Sequence, residues 1–221
     1  TVQLLSATTN VTEDVPTVEL ILSRTGFTNS EVRVPFATID GTAVSGADYV
    51  ASSGNVTFAS NSATATVVIQ LLNDQLGEST ESFQFGLSTI TDEATLGTLT
   101  NTVITILDND SAFALSLTNL TVIEANGPVM LVITRTGFTG NVVALPIATI
   151  AGTALEGTGN DYIGINTSLV FGAGQTTINV TLTILNDKVV ESTETFSFRL
   201  LQPVGGQEGS VGANNNVVIT I

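Results

Sequence analysis

Short stretches in which Val, Ile, Leu, Phe and Thr alternate with polar residues recur along the whole chain. In the first half they are TVELILS (17–23), EVRVPFATI (31–39), NVTFA (55–59), ATATVVIQLL (63–72), SFQFGLST (82–89) and TVITIL (102–107). A period of two with β-branched and aromatic enrichment, broken by Gly, Asn, Asp and Ser, predicts half-buried β-strands joined by turns. No helical period of useful length interrupts them.

The pattern is written twice. SRTGFT from Ser23 is answered by TRTGFT from Thr134, and VPFATIDGTA from Val34 by LPIATIAGTA from Leu145, at an offset of 111 residues. VSGADY then becomes LEGTGNDY, a gain of two residues in a loop, and the offset is 113 from Asp48/Asp161 onward. The organisation expected is two units, 1–110 and 111–221, joined near Asp108–Ala112 without a Pro/Gly/Ser linker. With the opening residues counted as one or two short strands, each unit carries about seven strands. The fold expected is all-β: two tandem seven-stranded immunoglobulin-like β-sandwiches.

Composition narrows the chemistry. The 221 residues contain no Cys and no His, which closes thiol, zinc and Ser-His-Asp chemistry and points away from an enzyme. Twenty acidic against five basic residues give a net charge of −15, which disfavours nucleic acid and anionic membranes as partners. No apolar run is long enough for membrane insertion. No positively charged, apolar leader precedes Thr1, so a secretion signal would lie outside this stretch.

The acids are placed unevenly. The first unit holds thirteen and the second seven, yet Glu13, Asp48, Asp74, Glu78 and Glu81 recur as Glu124, Asp161, Asp187, Glu191 and Glu194. Three of each set fall in one phrase, NDQLGESTESF from Asn73 and NDKVVESTETF from Asn186. Asp108 and Asp110 close the first unit, whereas the second stops at VVITI with Ile221 in the place of Ile106 and no acidic run. All lie where strands start or stop, so they can share one pole of a sandwich. Two carboxylates about 5 Å apart repel by roughly 3 kcal/mol at an effective dielectric near 20. Ca²⁺, which takes six to eight hard oxygens in irregular loop geometry, is the expected counter-charge. Solvated loop acids are the ordinary alternative for any one of them; repetition of five slots weighs against it. A glycosidase pair at Glu78/Glu81 or Glu191/Glu194 is disfavoured because few aromatics are present to stack a sugar.

DGTAVSGADY and AGTALEGTGNDY, the ILND…EST-E-F phrase as it stands in Leu185 to Phe196, and ITILDND make the chain resemble the Calx-beta domains. These were first described in sodium–calcium exchangers and are found in integrin β4 and many bacterial surface proteins. The resemblance covers both units and implies the same seven-strand sandwich with calcium at one pole. Carried over by position, it implies metal ligation by Glu13, Asp48, Asp74, Glu78, Glu81, Asp108 and Asp110, and by Glu124, Asp161, Asp187, Glu191 and Glu194. Asn73, Asn109 and Asn186 interrupt acidic runs that are often all Asp in strong binders, which implies fewer ions or weaker affinity.

The function expected is a non-enzymatic, calcium-binding structural module of an extracellular or cell-surface protein, a stalk, adhesin segment or fibre, with Ca²⁺ stiffening the junction at Asp108–Asp110. Its partners would be neighbouring repeats or identical subunits, with a cell-surface or matrix ligand besides. Two alternatives stand beside it: a subunit of a filament built by strand-edge pairing, and a Ca²⁺-sensing regulatory module of a larger membrane protein. The Arg-Thr-Gly-Phe-Thr segments read as ordinary turns whose Arg pairs with a nearby acid. Six Asn-x-Ser/Thr sequons, at Asn10, Asn55, Asn109, Asn119, Asn166 and Asn179, matter only in a eukaryotic secretory pathway.

Overall fold

A computed structural model of the chain describes residues 1–90, 94–158, 160–186, 190–203 and 209–221. Backbone contacts divide it into two units, Thr1–Asp74 with Ser79–Asn109, and Gln75–Glu78 with Asp110–Ile221. Among the described residues the regular structure of each is β, apart from one 3₁₀ turn, Glu124–Asn126, in the second. Among the described residues no helix is long and apolar enough to cross a membrane.

In the first unit β1 (Val2–Leu4), β3 (Thr17–Arg24) and β6 (Thr64–Gln70) form one sheet in the order β1-β3-β6. The other is β2-β8-β7-β4-β5, from β2 (Thr8–Thr12), β4 (Val32–Ile39), β5 (Ser53–Phe58), β7 (Glu81–Leu87) and β8 (Asn101–Leu107). The alternation seen in the sequence is the alternation of burial: along β3, Val18, Leu20 and Leu22 point inward while Thr17, Glu19 and Ile21 face out. The inward residues of both sheets make one core, including Val34, Phe58, Ile69, Phe83, Phe85 and Ile104.

The opening strand is split between the sheets. β1 pairs antiparallel with β3, whereas β2, after a bend at Leu5–Ala7, runs parallel to β8. Two short strands therefore replace one long one, and the unit shows eight strands where about seven are expected. The parallel pairing carries the chain along the last strand of the unit, and Glu13 N–H continues it by donating to Leu107 O at 3.0 Å.

The second unit repeats the plan. One sheet is β10-β17-β15-β12-β13, from β10 (Asn119–Thr121), β12 (Val143–Ala151), β13 (Asn166–Phe171), β15 (Thr195–Leu200) and β17 (Asn216–Thr220). The other is β14-β11-β9-β16, from β9 (Ser111–Leu115), β11 (Val129–Gly137), β14 (Thr177–Leu182) and the two-residue β16 (Ser210–Val211). β9 and β10 are again a split opening strand, with β10 parallel to β17. The core holds Leu131, Leu145, Phe171, Phe196, Phe198 and Val217.

One detail of each core fixes the loop that matters for function. Tyr49 stacks on Phe83 with ring centroids 3.8 Å apart, and Tyr162 stacks on Phe196 at the same 3.8 Å. Beside each stack the Gly of the Gly-Thr-Ala motif, Gly41 or Gly152, lies so close to the next strand that an added Cβ would collide with the carbonyl oxygen of Ser82 or Thr195. Only Gly fits, which is why both copies write it. In the first unit the Tyr49 hydroxyl donates to Asp40 Oδ1 at 2.6 Å. In the second unit Ala151 stands in the place of Asp40, and the Tyr162 hydroxyl is buried without a hydrogen-bond partner among the described residues.

Two outcomes follow from these stacks. Truncation of a fully buried ring at Phe83 or Phe196 to Ala should cost about 3–5 kcal/mol in chemical denaturation, far beyond a surface change. Burial first, and then the hydrogen bond to Asp40, push the Tyr49 hydroxyl up to about 12. An unfolded tyrosine ionises near 10, so the stability that Tyr49 contributes is complete below about pH 10 and is lost as pH rises towards 12. Tyrosinate absorbance should therefore lag well above pH 10 and rise together with unfolding. Reversible ionisation near pH 10 in an intact fold would contradict the buried stacks.

Candidate metal centre

The second unit gathers its acids from three separate places in the chain. Asp161 sits one residue before the stacked Tyr162; its backbone N–H donates to Leu155 O at 3.1 Å, and its carbonyl accepts from Leu185 N–H at 2.8 Å. Its Oδ2 accepts Leu155 N–H at 2.6 Å, which fixes the side chain and turns Oδ1 away from that bond. Glu194 exchanges two backbone hydrogen bonds with Ile221, at 3.1 and 2.9 Å, continuing the β15–β17 ladder. Glu124 opens the 3₁₀ turn just after Val122, whose N–H donates to Thr220 O at 2.8 Å. Glu191 comes from the acidic phrase and is exposed.

Carboxylate oxygens of Glu124, Asp161 and Glu191 all lie within 4.8 Å of one another. With Glu194, Ser192 and Ile221 these residues line a cavity of about 10 Å³, the scale of one small ion or water. Asp187, the fifth expected ligand of this unit, lies outside the described residues.

The first unit repeats the scaffold. Asp48 precedes the stacked Tyr49, its carbonyl accepts Leu72 N–H at 2.9 Å, and its Oδ2 accepts Val44 N–H at 2.6 Å. Asp40, through Tyr49 and Ser45 N–H at 2.9 Å, braces the same turn. The hydrogen bond from Tyr49, foremost, holds the Asp40 carboxyl below its ordinary range. Oxygens of Asp48 and Glu81 lie within 4.8 Å of each other, and so do those of Glu13 and Asp108. Glu13 is buried, 5 % exposed, and its Oε1 accepts the backbone N–H of Asp74 at 2.8 Å. Asp74 thus meets this group through its backbone, with its own side chain exposed. Glu78 is exposed on the Gln75–Glu78 stretch that belongs to the second unit. Asp110 opens the main segment of that unit; it is fully buried, and its carbonyl accepts Phe138 N–H at 2.8 Å.

Asn109 is a residue that the sequence marks only as an interruption of the acidic run. Its side chain is 6 % exposed, and neither its Oδ1 nor its Nδ2 finds a hydrogen-bond partner among the described residues. Burial also closes this sequon to glycosylation. Nothing in a lone Asn between two Asp residues announces such burial.

Electrostatics show what the crowding does. Burial first, then hydrogen bonding to Asp161 and the charges of Asp161 and Glu124, raise the Glu194 carboxyl above the ordinary glutamate range. A carboxyl pressed against other carboxylates holds a proton unless a cation takes its place. The donors are hard oxygens throughout, and two oxygens bound to one Ca²⁺ at about 2.4 Å can be no more than about 4.8 Å apart. The donor set therefore fits Ca²⁺ and does not fit a soft transition metal.

Comparison with known proteins bears on the family and the fold. The family model of the Calx-beta domain matches residues 1–110 and 107–221. The sodium/calcium exchanger 1 of Felis catus is 30% identical over 212 residues, covering 86% of this chain and 22% of the exchanger. The adhesion G-protein coupled receptor V1 of Danio rerio is 28% identical over 227 residues, 99% of this chain and 4% of the receptor. The chain thus spans about a fifth or less of the length of these relatives. Among solved structures, the calcium binding domain CBD12 of CALX1.1 aligns over 100% of both chains with a TM-score of 0.53 at 21% identity, which bears on the fold alone. The sandwich pair, its repeated Gly-Thr-Ala and Asp-Tyr turns and the family match along its whole length place this chain in the Calx-beta family.

Proposed function

We propose that the chain is a non-catalytic Ca²⁺-binding module of a larger protein, with the acids of its loops as the ligands. The observation that carries this reading is the convergence of Glu124, Asp161 and Glu191 within 4.8 Å, beside a Glu194 whose carboxyl is raised above its ordinary range by burial and carboxylate neighbours. Glu194 and, by position, Asp187 complete the proposed set in this unit. Glu13, Asp48, Asp74, Glu78, Glu81, Asp108 and Asp110 are the proposed ligands written in the first copy. Each residue has a distinct part: Asp48 and Asp161 are held by the turn beside a stacked Tyr, Glu81 and Glu194 by the strand that follows the acidic phrase, and Glu191 is carried by the phrase itself.

The exposed phrase is the part of the site that an ion would reorganise. Regulation of a larger protein by Ca²⁺ is supported by the likeness to the exchangers. A stiffened extracellular or cell-surface segment is supported by the strong acidity and lack of Cys. The binding affinity separates the two, since sensors respond at about 10⁻⁷–10⁻⁵ M and extracellular modules at about 10⁻⁴–10⁻³ M.

Thermal unfolding with chelator, Mg²⁺ or Ca²⁺ tests the shared claim. At a hundredfold excess over Kd, Ca²⁺ should add about 2.7 kcal/mol, a rise of roughly 10 °C in Tm for a unit of this size. Mg²⁺ should do much less. The double variant Asp161→Asn, Glu191→Gln should keep its chelator Tm or gain a little, because it relieves repulsion, and should lose the response of the second unit. An equal Ca²⁺ response in variant and parent would count against these ligands.

Protons should compete with the ion. The raised Glu194 carboxyl must be deprotonated to coordinate, so Ca²⁺ binding should release a proton in mildly acidic buffer and weaken as pH falls through that range. Calorimetry in buffers of different ionisation enthalpy reads the release, and Glu194→Gln should abolish the share due to this unit.

A further inference from the structure

Asn126–Gly127 is the one Asn-Gly step in the sequence, and it closes the 3₁₀ turn that Glu124 opens. Two backbone bonds hold that turn: Asn126 N–H donates to Ile123 O at 2.8 Å, and Gly127 N–H donates to Glu124 O at 3.0 Å. Gly127 then leaves at a φ of +69°, with open space where a Cβ would stand. The left-handed backbone, and not crowding, therefore calls for glycine here. Asn126 is exposed, and among the described residues no hydrogen bond holds its carboxamide.

An Asn followed by Gly carries its own reaction partner. The amide nitrogen of the next residue can close a five-membered ring on the side-chain Cγ, and a glycine presents no side chain to hinder it. Gly127 N gives its proton to water and bonds to Asn126 Cγ. The Cγ–Nδ2 bond breaks, and the nitrogen takes up a proton and leaves as ammonia. Water then opens the cyclic imide, at Cγ to leave Asp or at the backbone carbonyl to leave isoaspartate, in which the chain runs through the side-chain carbon. The sum is Asn and water giving a carboxylate and ammonia, with no oxidant, reductant or cofactor.

The closed turn opposes the first step, because Gly127 N–H is engaged with Glu124 O and must be released before its nitrogen can turn on Cγ. A three-residue 3₁₀ turn opens far more readily than a β-ladder. The first copy has no such chemistry. Counted at the same offset of 111 as Glu13 and Glu124, Val15 and Pro16 stand in the places of Asn126 and Gly127. Val has no carboxamide, and Pro has no N–H to lose.

We propose that Asn126 is a self-modification site built beside the candidate metal centre of the second unit. Opening of the turn lets its side chain cyclise on Gly127, and the product rewrites the segment that presents Glu124, with a new carboxylate in either form and an extra backbone carbon in isoaspartate. An ion held by Glu124 favours the closed turn and slows the reaction. That last step rests on the calcium reading, whereas the modification itself does not.

Peptide mass spectrometry of the whole chain, incubated at mildly alkaline pH, tests the proposal by following at each Asn the gain of one mass unit and the fragments of isoaspartate. In chelator Asn126 should convert faster than Asn29 or Asn61, which precede Ser. In denaturant its conversion should speed up by about tenfold or more, because no turn remains. Ca²⁺ at a hundredfold excess over Kd should slow the folded chain by about tenfold or more. Asn126→Gln should keep the parent's melting behaviour and convert far more slowly, since its longer side chain must close a six-membered ring. Conversion at Asn126 no faster than at Asn29 or Asn61 would overturn the assignment, and equal rates in folded and denatured chain would overturn control by the turn. Unchanged conversion in calcium, where the melt shows the second unit to have bound it, would overturn the link to the ion. A melt that calcium does not move would instead overturn the calcium reading, and the chelator and denaturant rates would still decide the assignment.

Discussion

Like charge held at fixed positions is the constraint on which the loops of this molecule depend. A β-sandwich brings its strand ends together whatever residues they carry, and here they carry carboxylates: Glu124, Asp161, Glu191 and Glu194 reach one small space from three distant stretches of the second unit. The ladders that deliver them are built by cores which cannot yield by more than a fraction of an ångström. The repulsion is therefore met by raised carboxyl pKa values, as at Glu194, or by a cation. Calcium is the answer that leaves every carboxylate charged and every strand in place.

The rigid half of this arrangement is aromatic. Tyr49 on Phe83 and Tyr162 on Phe196 clamp the turn that presents Asp48 or Asp161, and Gly41 or Gly152 lets that turn lie against the neighbouring strand. The clamp serves the candidate metal centre by setting where one carboxylate points. The two copies have diverged in how firmly it is held. Asp40 anchors the Tyr49 hydroxyl in the first unit, and Ala151 withdraws that anchor from Tyr162 in the second.

Much of this is written openly in the sequence. Period-two alternation gives the strands, since burial follows it residue by residue along β3, and the internal repeat identifies the acids worth following. What the sequence hides is set by distant pairing. Division of the opening strand between two sheets depends on the partners of β1 and β2, not on their own residues. The backbone N–H of Asp74 donates to Glu13 Oε1, a contact between residues 61 positions apart that no local pattern announces. The two Arg residues read as turn residues paired with acids; Arg135 is instead buried among carbonyl and hydroxyl oxygens, which no local pattern reveals. Asn109 has the same lesson, a polar side chain whose burial no local pattern announces.

A crystal grown in calcium and measured at a wavelength where calcium scatters anomalously tests the central claim most directly. The account predicts an anomalous peak among Glu124, Asp161 and Glu191, with carboxylate oxygens at about 2.3–2.6 Å from it. Acids turned out to solvent, with no peak between them at millimolar calcium, would contradict it.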